Sequence, residues 1–271
     1  MNLPLIMGVV NVTPDSFSDG GRWLEADAAV DHGLSLRDAG AALVDVGGES
    51  TRPGAARPTL EAELARVVPV VRGLAAAGLT VSVDTMRAAV AEAALAAGAT
   101  LVNDVSGGLA DPAMAEVVAA AGVEMIAMHW RGHSADMQSR AHYDDVVVDV
   151  CRELAARVDA LTAAGIPPER ILLDPGLGFA KTPEHNWALL RRLEEIAALG
   201  HRVVVGTSRK RFLGVVGRLP GHERAVQDRD VATAVTSAYA ASAPVWAVRV
   251  HDVVATRDAF DVVAAMGGGF A

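Results

Sequence analysis

One cysteine, Cys151, occurs in 271 residues, so no disulfide can form within the chain, and a reducing cytoplasm is the expected home. Cys151 falls in an apparent helix, where packing is its expected role. Aromatic residues are only 4% against 51% hydrophobic, so the interior must be built from Val, Leu, Ile and Ala, the side chains that fill parallel-sheet barrels. Basic residues are in the minority, 24 Lys and Arg against 33 Asp and Glu. The formal net charge of -9 argues against nucleic acid as the main partner, because binding a phosphate backbone needs a basic face. No apolar run is long enough to span a bilayer, and the start of the chain has no basic segment followed by a cleavage site, so no membrane association is expected. A P-loop lysine motif, G-x-G-x-x-G and G-x-S-x-G are all missing, which removes support for an ATPase, a dinucleotide enzyme or a serine hydrolase.

What is present is a regular alternation. Short β-branched runs at Leu5–Val10, Ala42–Val46, Leu79–Val83, Thr100–Val102, Val123–Met128, Ile171–Asp174, Arg202–Val205 and Trp246–Val250 read as eight strands. Between and after them, Asp27–Ala39, Leu60–Ala76, Met86–Ala96, Pro112–Ala120, Val146–Ala163, His185–Ala198, Ala225–Ala241 and Thr256–Ala265 have helical periodicity. Gly40, Gly78, Gly98, Gly122, Gly165 and Gly200 follow helix ends, where a residue with positive φ is wanted. Eight strand-helix units in a chain of this length predict an α/β fold of the (β/α)8 TIM-barrel type, one domain over residues 1–271, with an open doubly wound sheet as the alternative.

In such a barrel the C-terminal strand ends share one face. Every expected strand ends in something polar: Asn11; Asp45 with Glu49, Thr51 and Arg52; Asp84; Asn103 and Asp104; His129; Asp174; Ser208, Arg209 and Lys210; Arg249 and His251. Thr85, Asp104 and Asp252 are explained equally by helix capping. Asp84, Asn103 and Asp174, with Lys210 beside them, supply the donors and acceptors that read the edge of a planar heterocycle such as a pterin or guanine. Arg52, Arg249, His251 and Asn11 suit a phosphate or pyrophosphate, provided the arginines are not paired with Glu49 or Asp252. The run Asp174–Phe179, DPGLGF, joins a carboxylate, two glycines and an aromatic face in six residues. The pair His129 and His133 has metal-like spacing but follows a strand and lacks a Glu partner, so zinc is not expected there.

Taken in order, NVTPDSFSDGG (Asn11 to Gly21), DVGGESTRPG (Asp45 to Gly54), SVDT (Ser82 to Thr85), NDVSGG (Asn103 to Gly108), DPGLGFAK (Asp174 to Lys181), GTSRKRFLG (Gly206 to Gly214) and RVHDV (Arg249 to Val253) resemble the dihydropteroate synthase family over nearly the whole chain. The resemblance implies a transferase of folate synthesis that condenses 6-hydroxymethyl-7,8-dihydropterin pyrophosphate with 4-aminobenzoate. It implies a pterin pocket of Asp84, Asn103, Asp174 and Lys210, lined by Met128, Phe179 and Gly206. It places pyrophosphate at Asn11, Thr51, Arg52, Arg249 and His251, with Mg2+ near Asn11, and 4-aminobenzoate at Phe17, Thr51, Pro53, Lys210 and Arg211. Asp19, Lys210, Arg249 and His251 are then the catalytic set, the enzyme is a sulfonamide target, and a homodimer is expected. The loops at residues 12–21 and 51–58 are expected to be ordered by the bound anion. A pterin-dependent methyltransferase acting on a corrinoid protein, or a non-catalytic pterin-binding paralogue, is the alternative. The methyltransferase has no need of the Arg249/His251 clamp or the SRKRF segment.

Overall fold

The computed structural model describes residues 3–13, 22–49, 57–133, 137–219 and 221–267. Its eight strands are β1 (Leu5–Asn11), β2 (Leu43–Gly47), β3 (Val81–Asp84), β4 (Leu101–Asp104), β5 (Glu124–Met128), β6 (Ile171–Asp174), β7 (Val204–Val205) and β8 (Ala247–Val250). All ladders are parallel, in the order β6-β5-β4-β3-β2-β1-β8-β7. An isolated parallel bridge between Leu173 and Val203, with the Leu173 N–H donating to the Arg202 carbonyl at 2.9 Å, joins β6 to the start of β7. The ring is thereby closed into a TIM barrel, and the open-sheet alternative falls away.

The helices are α1 (Arg22–Asp38), α2 (Leu60–Ala76), α3 (Ala88–Ala96), α4 (Met114–Ala121), α5 (Val146–Ala163), α6 (Pro183–Arg191), α7 (Leu193–Ala197), α8 (Arg211–Gly214), α9 (Asp230–Ala240) and α10 (Val253–Ala265). All six expected glycine joints have positive φ; at Gly98, with φ 113°, an added Cβ would also lie 2.6 Å from the Ala75 Cβ. The α2 and α5 ranges match the helical periodicity residue for residue. Elsewhere local geometry trims it. Arg87 is extended (φ -112°), so α3 begins at Ala88 rather than Met86. Arg192, at φ -124° and ψ 34°, splits the expected 185–198 helix into α6 and α7, and its side chain ties Asp145 to Glu195. The expected 225–241 helix is a 3-10 turn, Gln227–Arg229, leading into α9.

The two-residue period of a strand explains why the barrel carries a site. Met7, Leu43, Leu101, Ile126, Leu172, Val204 and Ala247, one from each of seven strands, pack together as a separate buried cluster inside the ring. Two residues further along the same strands stand Val9, Asp45, Asn103, Met128, Asp174, Gly206 and Arg249. Asp84 of β3 pairs in register with Asn103. On four of these strands, at Asp45, Asn103, Asp174 and Arg249, the inward face therefore changes from apolar to polar within one step, a floor of hydrocarbon under a charged mouth. The larger cluster of buried Val, Leu, Ile and Ala lies between strands and helices.

Candidate active site

The charged mouth is knit by Arg249. Its Nε donates to Asp45 Oδ2 at 2.6 Å and its Nη2 to Asp84 Oδ2 at 2.8 Å, while Asn103 Nδ2 donates to the same Asp45 oxygen at 2.9 Å. Residues from β2, β3, β4 and β8 thus meet through one guanidinium. Asp45 is fully buried. Burial, helped by the neighbouring Asp45 charge and opposed by Arg249, pushes the Asp84 carboxyl up to about 7. Near neutral pH it can therefore donate as well as accept. Burial works against the Arg249 charge, but Asp45 and Asp84 outweigh it and hold the guanidinium ionised.

This geometry adds to the sequence reading in two respects. Arg249 is not an arginine with nothing to neutralise it, nor is its partner Glu49 or Asp252: Glu49 accepts from Arg57 at 3.1 Å, and Asp252 caps α10. Arg249, expected in the anion clamp, is also bonded directly to Asp84 of the pterin set, so the two sets share a contact. The reason is tertiary, since Asp45 lies 204 residues away in sequence. Asp45 was visible as a strand-end residue, but was given no role.

Asp174 ends β6 and is 6% exposed; its Oδ1 accepts from the Gly176 N–H at 2.7 Å. Burial raises its carboxyl above the usual range, against the pull of Lys210. Burial in turn lowers the Lys210 ammonium to about 8, with Asp174 opposing. Gly206 lies between them: an added Cβ would sit 3.8 Å from Arg249 Cβ, 3.8 Å from Lys210 Nζ and 3.9 Å from Asp174 Oδ2. The backbone there approaches the charged groups because no side chain intervenes. Arg209 turns at φ 58°, and its guanidinium is taken by Asp230 of α9 through two 2.7 Å bonds, so of the two cations in the SRK run only Lys210 serves the mouth.

The DPGLGF run folds as a tight loop over this group. Gly176 has φ 69°, and a Cβ there would lie 2.4 Å from the His129 carbonyl oxygen, which only glycine avoids. Lys210 Nζ donates to the Leu177 carbonyl and stands 4.8 Å from the centre of the Phe179 ring. Met86, Val105 and Met128 form a small apolar cluster with Phe179 and Trp130 against it. A flat ring would find hydrocarbon on its faces and charge at its edge.

At the β1–β8 seam the Asn11 amide approaches His251 Nε2 at 3.4 Å, and His251 Nδ1 lies 2.8 Å from Ser208 Oγ. These distances fit the tautomer with its proton on Nδ1. The grouping of Asn11 with His251 thus has a geometric basis. Phe17, Asp19, Thr51, Arg52 and Pro53, and the bulk of the loops at 12–21 and 51–58, lie outside the described residues. Arg211 points outward, 82% exposed, bonded to Glu223 at 3.0 Å. Cys151 is half-buried beside the core, its Sγ 3.7 Å from the Glu195 carbonyl.

Sequence reasoning passed over a second cation, Lys181, which is 3% exposed and contacts His129 Nδ1 at 3.0 Å. His129 does not work with His133; its Nε2 meets Glu153 Oε2 at 2.9 Å. The detectable signal was a lysine at the end of an otherwise apolar loop, two residues after Phe179.

The family described as pterin binding enzyme matches residues 7–251 of the chain. The chain is 57% identical over 262 residues to the dihydropteroate synthase of Mycobacterium leprae, covering 96% of this chain and 92% of that one. Among solved structures it resembles Xanthomonas albilineans dihydropteroate synthase with 4-aminobenzoic acid (TM-score 0.90, 44% identity, 99% of this chain and 94% of that). The same enzyme in complex with 7,8-dihydropteroate matches with TM-score 0.87 at 41% identity, over 99% of this chain and 95% of that. A closed parallel barrel, a buried carboxylate-amide-lysine edge and these likenesses agree: the chain belongs to the pterin binding enzyme family, among the dihydropteroate synthases.

Proposed function

We propose that the barrel mouth condenses 6-hydroxymethyl-7,8-dihydropterin pyrophosphate with 4-aminobenzoate, giving 7,8-dihydropteroate and pyrophosphate. The observation that carries this is one mouth in which Asp174, Lys210 and Arg249 surround the bare backbone of Gly206, while Arg249 bonds Asp84 and reaches Asn103 through Asp45. Their acceptors and donors match the amide and amine edge of a pterin, and Phe179 and Met128 offer its faces apolar contact. Arg249 and His251, at the end of β8, are assigned to the pyrophosphate on the pterin methylene, with Arg52 and Thr51 completing the anion site and Phe17, Pro53 and Arg211 assigned to aminobenzoate. Asp19 belongs to the catalytic set with Lys210, Arg249 and His251.

The C–O bond to pyrophosphate breaks as the electron-rich ring stabilises the methylene cation. The neutral arylamine then forms the C–N bond and its proton leaves to solvent. No enzyme nucleophile is needed. The donor chemistry at Asn11 fits Mg2+: its amide nitrogen faces His251 and leaves the carbonyl oxygen as an ion ligand, the rest of the shell being phosphate and water oxygens. When bound, Mg2+ would neutralise leaving-group charge.

The test is pyrophosphate release by the purified chain supplied with pterin pyrophosphate and Mg2+, with and without 4-aminobenzoate. Release that requires both substrates is expected; no release with both present would defeat the reading. A corrinoid-directed methyltransferase would release none.

No helix of the described residues is long and apolar enough to cross a membrane, and the single cysteine supports a cytoplasmic location. A homodimer is supported by an exposed apolar face on the packed pair α9 and α10, where Val231, Val235, Val254, Val262 and Met266 are 57–75% exposed. Sedimentation equilibrium should give twice the chain mass, and Val235→Lys should lower it; a monomer at tens of micromolar would contradict the assignment.

A further inference from the structure

We infer that Lys181 is a positioning residue for the pterin, setting the charge state of Asp174 and the place of Phe179 from behind the pocket, with His129 and Glu153 holding it there. The inference rests on the pterin reading above. A buried ammonium persists only where donors and charge are answered. Lys181 Nζ contacts His129 Nδ1 at 3.0 Å and donates to the Phe179 carbonyl at 3.1 Å, and an added Cβ on Gly176 would lie 3.4 Å from it. It therefore sits beneath the loop that carries Asp174 at one end and Phe179 at the other.

Because His129 Nδ1 accepts from the ammonium, the imidazole proton is on Nε2 and is donated to Glu153 Oε2 at 2.9 Å. Burial and the Lys181 charge lower the His129 imidazole to about 4, so it stays neutral. Glu153 is fixed by Arg131 Nε at 3.0 Å, and Arg131 stacks on Tyr143 at 3.9 Å. A carboxylate-imidazole-ammonium chain thus runs from the half-buried face of α5 to the back of the pocket.

The charged and titratable groups facing Lys181 are Asp174 from β6, Lys210 after β7, His129 and Arg131 after β5, and Glu153 of α5; Tyr143 lies 5.9 Å from its ammonium, with His185 of α6 behind that ring. Burial brings Lys181 down to about 7, with Asp174 opposing and Lys210 adding to the fall. The protonated form supports the Asp174 carboxylate. The Lys181 contribution to pterin affinity is therefore full below that value and falls as pH rises through it, alongside the Asp84 step near 7 and before the Lys210 step near 8.

The experiment measures kcat and both KM values for the wild type and Lys181→Met, with 6-hydroxymethylpterin binding to each by calorimetry, across about pH 6 to about pH 9. Lys181→Met should raise the pterin KM about tenfold at the acid end, the worth of one charge-assisted contact, while kcat and the aminobenzoate KM change far less. It should lose the part of the limb that Lys181 contributes, leaving the Asp84 step near 7 and the Lys210 step near 8. Glu153→Gln should shift the wild-type limb to lower pH, because the chain then holds the ammonium less firmly. An unchanged pterin KM and pH profile in Lys181→Met overturns the inference. If Lys181→Met does not fold, an unmoved limb in Glu153→Gln overturns it. A wild type that binds 6-hydroxymethylpterin without turnover would count against the proposed reaction alone, and the calorimetric comparison would still decide the role of Lys181.

Discussion

Arg249→Ala is expected to weaken three things together: the fold, binding of the pterin and binding of pyrophosphate. The guanidinium joins Asp45 and Asp84, and its removal leaves two inward carboxylates without their shared counter-charge. Breaking a buried pair from one side costs about 3–5 kcal/mol, although protonation of Asp84 relieves part of this. The sign with pH follows from the Asp84 carboxyl, already raised to about 7 by burial. A raised carboxyl favours the folded state when protonated, so the variant's deficit should be largest above about pH 7 and should shrink as pH falls. Thermal melts of both proteins over this range would display it, and Asp45→Asn in the variant background should recover part of the loss. Calorimetry should show weakened binding of 6-hydroxymethylpterin as well as of pyrophosphate. An intact pterin affinity would show that Arg249 serves the anion site alone, despite its bond to Asp84.

Asp174→Asn should leave the fold in place and strike recognition. The amide has the same shape and can still accept from the Gly176 N–H, but it cannot answer the Lys210 and Lys181 charges. It also turns a donor toward an edge that requires acceptors. A hydrogen bond to a charged group is worth about 1.5–3 kcal/mol, which corresponds to roughly 10- to 100-fold in pterin affinity. Both lysines should lose protons more readily in the variant, so its residual activity should decline at lower pH than that of the wild type. Calorimetric titration with pterin pyrophosphate is the direct measurement, and an unchanged affinity would remove Asp174 from the pocket.

The strand pattern and the chemistry of the strand ends were legible because both are local. Val, Leu and Ile runs alternate with Ala-Leu helices, and glycines mark the joints, so the eight units could be counted from the chain. The period of two along each strand then places Leu43 and Asp45, Leu101 and Asn103, or Leu172 and Asp174 on one inward face, and the polar member of each pair can be named before any coordinate. Helix limits were less legible where one side chain decides them, as Arg192 does between α6 and α7 by tying Asp145 to Glu195.

Sequence therefore determined the βα count, the parallel α/β class and the polar residue at each strand end. Closure and pairing were decided by tertiary structure. The Leu173–Val203 bridge brings distant strands together, and only in the closed ring does Arg249 find Asp45 and Asp84, 204 and 165 residues away. The Lys181–His129–Glu153 chain arises in the same way, from a loop, a strand end and a helix whose sequence separations of 52 and 24 residues carry no local signal. The physical reason is burial: in water each of these charges is solvated on its own, whereas inside the mouth each must be answered by whatever group the fold brings within reach.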